Sequence, residues 1–271
     1  MTFSINRNTT AVAATAFMLV MALPGATAGR HRCYREQDQR TVVSATAKDR
    51  DGLQHAFSAF QGLLGGKNNG NDKAQHDGFR NINWDAAGVP FDMPGDFFAA
   101  TVTRGLTVSS SKGEFRVSNP ADGSDDKFDS INHMASKDFV DFSPKRLFTP
   151  IGTTKTVITF SPAGKKGRAT VNGFGAVFVD VDKRHSTWMT AYDKNGCIVY
   201  RDFVEPKNKG LSFLGVTFGK DKGDSIIAMV VLETGNLAID SRRKLRGHEG
   251  RKDDIVVMDD FTYGEPQKIK H

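Results

Sequence analysis

The chain has 271 residues, of which 38% are apolar and 10% aromatic, with 20 Phe and 27 Gly. That is enough for one large domain or two small ones with a sizeable core, and the dispersed glycines suit a turn-rich β protein. Two cysteines without CxxC or Cys/His spacing exclude an ordinary zinc site, and a net charge of +6 with pI near 9.3 turns attention to anionic partners.

The first residues read as a targeting segment. MTFSINRNTT carries a lone cation at Arg7, AVAATAFMLVMALPG is an apolar run, and Ala26-Thr27-Ala28 is a small-x-small cleavage pattern. A secretory signal over 1–28 is therefore expected, and with it a secreted, extracellular protein. The alternative, an uncleaved anchor, is disfavoured because the run is short for a bilayer and broken at Pro24-Gly25. No later segment is apolar enough to span a membrane. The sole Asn-x-Thr acceptor, Asn8-Thr9-Thr10, lies inside the signal.

Residues 29–50 are polar and read as a flexible leader carrying Cys33. In an oxidising compartment Cys33 and Cys197 form a disulfide or stay as two unrelated thiols; spacing does not decide. The segment 51–66 contains DGLQHAFSAFQGLL, with Leu53, Ala56, Phe57, Phe60 and Leu64 on one helical face. Asp51 is the expected N-cap and Gly65-Gly66 the stop. This short amphipathic helix must dock on something.

From 71 to 266 nearly every signal is β. Runs such as GFRNINW, LTVSS, GEFRVS, KTVITF, GAVFVDV, STWMTAYD, CIVYRDFV, LSFLGVTF and DIVVMDDFTY are separated by turn residues. Asp193-Lys194-Asn195-Gly196 between two alternating runs predicts a hairpin. Closely spaced strands without intervening helices argue for an all-β sandwich. Runs apolar on both faces predict strands central to a packed core. The basic segment 241–252, SRRKLRGHEGRK, is either a solvated loop or a contact for a polyanion. It lacks interleaved aromatics, which argues against nucleic acid.

LLGGKNNGN, GFRNINWDAAGVP, PGDFF, RGLTVS, FSPKRLFTPIG, GFGAVFVDVD, GLSFLGVTF and DDIVVMDDFTYGEP follow one another at the spacing of a module in secreted bacterial proteins. Most of the chain after residue 50 resembles that module, found in exported proteins of the PEP-CTERM kind. The resemblance implies a jelly-roll sandwich similar to the galactose-binding type, whose final strand packs beside the first. It implies no activity. The chain departs from the pattern at QKIKH, where an apolar sorting tail would follow, so anchoring through such a tail is not expected. The basic segment 241–252 departs too.

Several side chains are candidates for chemistry. Strand alternation places Phe174, Ala176, Phe178, Asp180 and Asp182 on one face and Val177, Val179 and Val181 on the other. Asp180 and Asp182 then hold a structural calcium with Asp254, Asp260 or neighbouring carboxylates, or pair with Lys183, Arg184 or backbone amides. The resemblance to jelly rolls, in which a structural calcium often sits at strand ends, adds to the calcium reading and leaves both open. Trp84 with Asp85, and Trp188 with Tyr192, are candidate sugar-binding groups; the competing reading packs each ring in the core or over its edge. GxSxG and HExxH are absent, and no carboxylate pair stands out as a glycosidase dyad. The expected function is a non-catalytic module binding extracellular polysaccharide. A structural or adhesive protein and a polysaccharide-active enzyme are the alternatives.

Overall fold

The computed structural model describes residues 40–118, 126–133, 135–219, 225–240 and 252–269. In chain order the elements are β1 (Arg40–Ala47), α1 (Arg50–Leu64), β2 (Phe79–Ile82), α2 (Phe97–Ala100), β3 (Leu106–Ser109), β4 (Phe115–Val117), β5 (Phe148–Pro150), β6 (Lys155–Phe160), β7 (Ala169–Thr170), β8 (Gly173–Val181), β9 (Trp188–Tyr192), β10 (Ile198–Phe203), β11 (Lys207–Phe218), β12 (Met229–Glu233), β13 (Val257–Gly264) and β14 (Gln267–Lys268). They form two antiparallel sheets. The first runs β1-β11-β8-β13-β5-β4, with β2 also on β13; the second runs β10-β9-β12-β6-β7-β14, with β3 also on β6. Eight strands are divided between the sheets in jelly-roll order: β5, β13, β8 and β11 lie side by side in one, and β6, β12, β9 and β10 in the other. The chain is an all-β sandwich.

Two cores explain the solid apolar strands. Between the sheets Phe174, Ala176 and Phe178 of β8 meet Ile158, Met189, Val230 and Leu232 of the second sheet. Behind the first sheet, Val177 and Val179 meet Leu53, Phe57, Phe60 and Leu64 of α1 and Phe139 and Phe142 of the segment between β4 and β5. The first sheet is thus covered on both faces, so every residue of β8 and β13 is buried. Strands covered on both faces read as continuous apolar runs rather than alternating ones.

Helix α1 is capped by Asp49, whose side chain accepts the Gly52 N–H at 3.1 Å, rather than by the expected Asp51, which sits in the first turn. An N-cap carboxylate must stand outside the first helical residue to reach the free N–H groups. Gly65, at φ 131°, ends the helix.

The leader expected over 29–50 is not flexible throughout, because Arg40–Ala47 pairs with β11 along its full length. Val43, Ala45 and Ala47 face the core beneath α1, and the small side chains made that alternation faint in the sequence. Among the described residues no helix is long and apolar enough to cross a membrane.

Candidate ligand-binding face

The two sheets differ in what lies outside them. The outer face of the first is closed by α1 and the 126–147 loop. β6 and β12 of the second alternate instead, with one face buried and the other half-buried or exposed, and β9 follows them except at Thr190, which is buried. On that outer face Trp188, Thr190 and Tyr192 of β9 stand beside Phe203 and Arg201 of β10 and Glu233, Val231 and Met229 of β12. Next comes β6, with Lys155, Val157 and Thr159.

The hairpin that sets this register is built as its sequence predicts. Asp193 Oδ1 accepts the N–H groups of Asn195 and Cys197, both at 2.8 Å, and Gly196 takes φ 82°. A short polar side chain that bonds its own turn fixes the strands it joins. Cys197 is disulfide-bonded; its expected partner, Cys33, lies outside the described residues.

Trp188 and Tyr192 are both half-buried on this face. The Trp188 indole N–H donates to the His185 carbonyl at 2.8 Å, which fixes the ring. Phe203 meets it edge-on at 5.9 Å, and the His185 ring packs on Phe203 at 4.3 Å. Two guanidiniums cover these rings: Arg201 lies 4.9 Å from the Trp188 centroid and Arg184 4.8 Å from that of Phe203. Sequence reasoning missed Phe203, Arg201, Arg184 and His185. The signal was present for the first two, since a hairpin at 193–196 places alternate residues of RDF beside Trp188 and Thr190.

The other aromatic candidate is placed differently. Trp84 is 1% exposed, stacked on Phe148 at 4.2 Å, and its N–H donates to the Asp259 carbonyl at 2.8 Å. It is a core residue with no face for a sugar. Asp85 accepts the Arg146 N–H at 3.1 Å, and burial raises its carboxyl to about 6. Trp84 and Asp85 are therefore not joined to Trp188 and Tyr192 in one site.

The proposed metal ligands fall into two groups. Asp180 lies at φ 62° in an irregular stretch of β8, opposite a register shift in β11. That break in alternation turns Val181 into the inter-sheet core, on the side where alternation put the carboxylates. Asp180 accepts the Lys209 N–H at 2.7 Å. Burial raises its carboxyl to about 7, helped by the charges of Asp182, Asp138 and Asp254 and opposed by the Lys209 N–H. Asp182 accepts from the Asn208 amide at 2.5 Å. Asp254, fully buried, accepts the N–H groups of Asp182 and Lys183, both at 3.2 Å, and the Ser186 hydroxyl. It fastens the turn after β8.

Asp260 stands apart, in a bulge of β13 between Met258 and Phe261. The bulge lets both of those apolar residues face the inter-sheet core, and it directs Asp259 and Asp260 elsewhere. Asp260 accepts from the Asn81 amide at 3.0 Å. Asp259 accepts the N–H groups of Phe142 and Ser143 and the Ser143 hydroxyl, so it ties the 126–147 loop to the first sheet. Burial pushes both carboxyls up. Among the described residues no group of three or more His, Cys, Asp or Glu is arranged to hold a metal ion. Of the basic segment 241–252, residues 241–251 lie outside the described residues.

No family model matches the chain, and neither a curated protein nor a solved structure shows significant similarity to it.

Proposed function

We propose that the protein is a non-catalytic, extracellular glycan-binding module whose ligand lies across the outer face of the second sheet. The supporting observation is the set of half-buried rings, Trp188, Phe203 and Tyr192, on two paired strands of that face, while the opposite sheet is closed by α1. Rigid, amphipathic rings on a sheet supply contact area, or a fixed support for the groups stacked on them, at little entropic cost, and the exposed Thr159 offers a hydroxyl partner. The secretory signal read from 1–28 supports the extracellular setting.

The test is a glycan array probed with the full chain, followed by titration of any hit against Trp188→Ala and Tyr192→Ala. Binding that falls in both variants, with unchanged thermal melts, supports the reading. An array without a hit, or hits indifferent to both substitutions, overturns it.

A second reading is adhesion to another protein through the outer edge of β1. Among the described residues that strand pairs on one side only, with β11, and it leaves Val42 40% exposed. Unpaired edges template strand addition.

A further inference from the structure

Resting on the reading above, we infer that the face around Trp188 selects acidic polysaccharides, with the guanidiniums of Arg184 and Arg201 clamping carboxylates of uronic acid residues. A neutral sugar binds an aromatic platform by laying its C–H face on the ring. Here that surface is already taken, because Arg201 lies over Trp188 at 4.9 Å and Arg184 over Phe203 at 4.8 Å, with the His185 ring on Phe203 at 4.3 Å. A neutral sugar must displace a guanidinium and lose its attraction to the ring. An anionic sugar has no such conflict. A stacked guanidinium keeps its edge N–H groups free, and stacking has already removed much of its rotational freedom.

The charge around the rings leaves the two arginines available. Among the described residues no carboxylate is ion-paired with Arg201, and Arg184 reaches only Glu205, at 3.9 Å between two exposed side chains. Glu233, beside Trp188 across the strand pair, is engaged by Lys155 at 2.9 Å. Asp202 accepts the Phe203 N–H at 2.9 Å. Both arginines are exposed, so they are not held for the sake of the core. Guanidiniums bind carboxylates in a bidentate fork, which adds geometric selectivity to charge.

The experiment is affinity gel electrophoresis of the full chain in polygalacturonate, in alginate, in a neutral β-glucan and in polyglutamate, repeated with Arg184→Gln/Arg201→Gln and with Arg242, Arg243, Lys244 and Arg246 changed to Gln. Retardation in a polyuronate but not in the β-glucan is expected. It should weaken about tenfold or more in the Arg184/Arg201 variant, as expected for losing charge-assisted hydrogen bonds, and little in the other. Equal or stronger retardation in the β-glucan overturns the inference and leaves the glycan reading standing. Polyuronate binding that survives the Arg184/Arg201 change but is lost with 242–246 also overturns the inference, by assigning the anion to the basic segment. No retardation in any polysaccharide, or polyglutamate bound as tightly as polyuronate, overturns the glycan reading and the inference with it. Unchanged melting temperatures of both variants verify that folding is intact.

Discussion

Trp84 lies flat against Phe148, ring centroids 4.2 Å apart and planes within 5°, while Phe98 and Phe261 meet its edges. The indole joins the end of β2 to β5 and, through its N–H, to the bulge of β13. Trp84→Ala should lower stability by about 3–5 kcal/mol, the range for emptying a large aromatic site. Urea unfolding reads this as an earlier midpoint at constant slope. Polysaccharide retardation of the folded protein should not change, since the ring has no access to the outer face of the second sheet.

Gly175 and Gly215 sit opposite one another in the β8–β11 pair, directly beneath Phe60 of α1. A Cβ on Gly215 would stand 2.8 Å from the Phe60 ring, and one on Gly175 would stand 2.8 Å from that of Phe213 and 2.9 Å from Phe60. The glycines thus form the floor on which the helix rests. Gly215→Ala should cost about 1–3 kcal/mol, as overpacking does. Phe60→Leu should recover part of that loss, so a double-mutant cycle of thermal melts should show coupling between the two sites.

These residues mark how far the sequence could be read. GAVFVDV reads as a strand central to a packed core, but only the fold shows that its Gly175 receives Phe60. The helix face was legible because Leu53, Phe57, Phe60 and Leu64 are large and regularly spaced. β1 was not, because Ala45 and Ala47 carry little apolar weight. Alternation failed at Asp180, where a positive φ redirects the chain, and at Asp259–Asp260, where a bulge inserts an extra residue. Periodicity assumes regular backbone, and bulges break that assumption locally. Trp188 and Tyr192 stand out in the sequence by residue type alone. The positions of Arg184, in the turn before β9, and Arg201, on β10, over the rings were hidden, because a charged residue in a turn or on a strand carries no signal that it covers a ring.

Glu265 is 4% exposed and takes both ends of the Arg80 guanidinium, Nε at 2.8 Å and Nη2 at 2.9 Å, with further donors from Asn69 and the Gln75 N–H. Arg80 also donates to the carbonyls of Gly70 and Thr103. This pair fastens the loop after α1 to the end of β13. Removing one partner leaves a buried charge uncompensated, so Arg80→Met should cost about 3–5 kcal/mol. Arg80→Met with Glu265→Met should cost less than the sum of the single changes. Chemical denaturation of all four proteins checks this, and additive losses would count against a coupled pair.

Stability should fall as pH rises through the acidic range to neutrality. Asp180 and Asp85 have folded-state values raised by burial from 3.8 to about 7 and about 6. A carboxyl raised in this way binds its proton more tightly folded than unfolded, so the folded state holds more protons over that interval. Its stabilising contribution is complete below the ordinary value and is lost as pH rises through the raised one. Asp254, Asp259 and Asp260, also raised chiefly by burial, act in the same direction. For Asp180 alone the interval corresponds to at most about 4 kcal/mol. The melting temperature should therefore be higher at pH 5 than at pH 8. Asp180→Asn keeps an oxygen to accept the Lys209 N–H and removes the titrating charge, so it should flatten the profile between pH 5 and 8 and raise the melting temperature at the alkaline end. A variant profile parallel to that of the natural chain would show that Asp180 does not contribute to the slope.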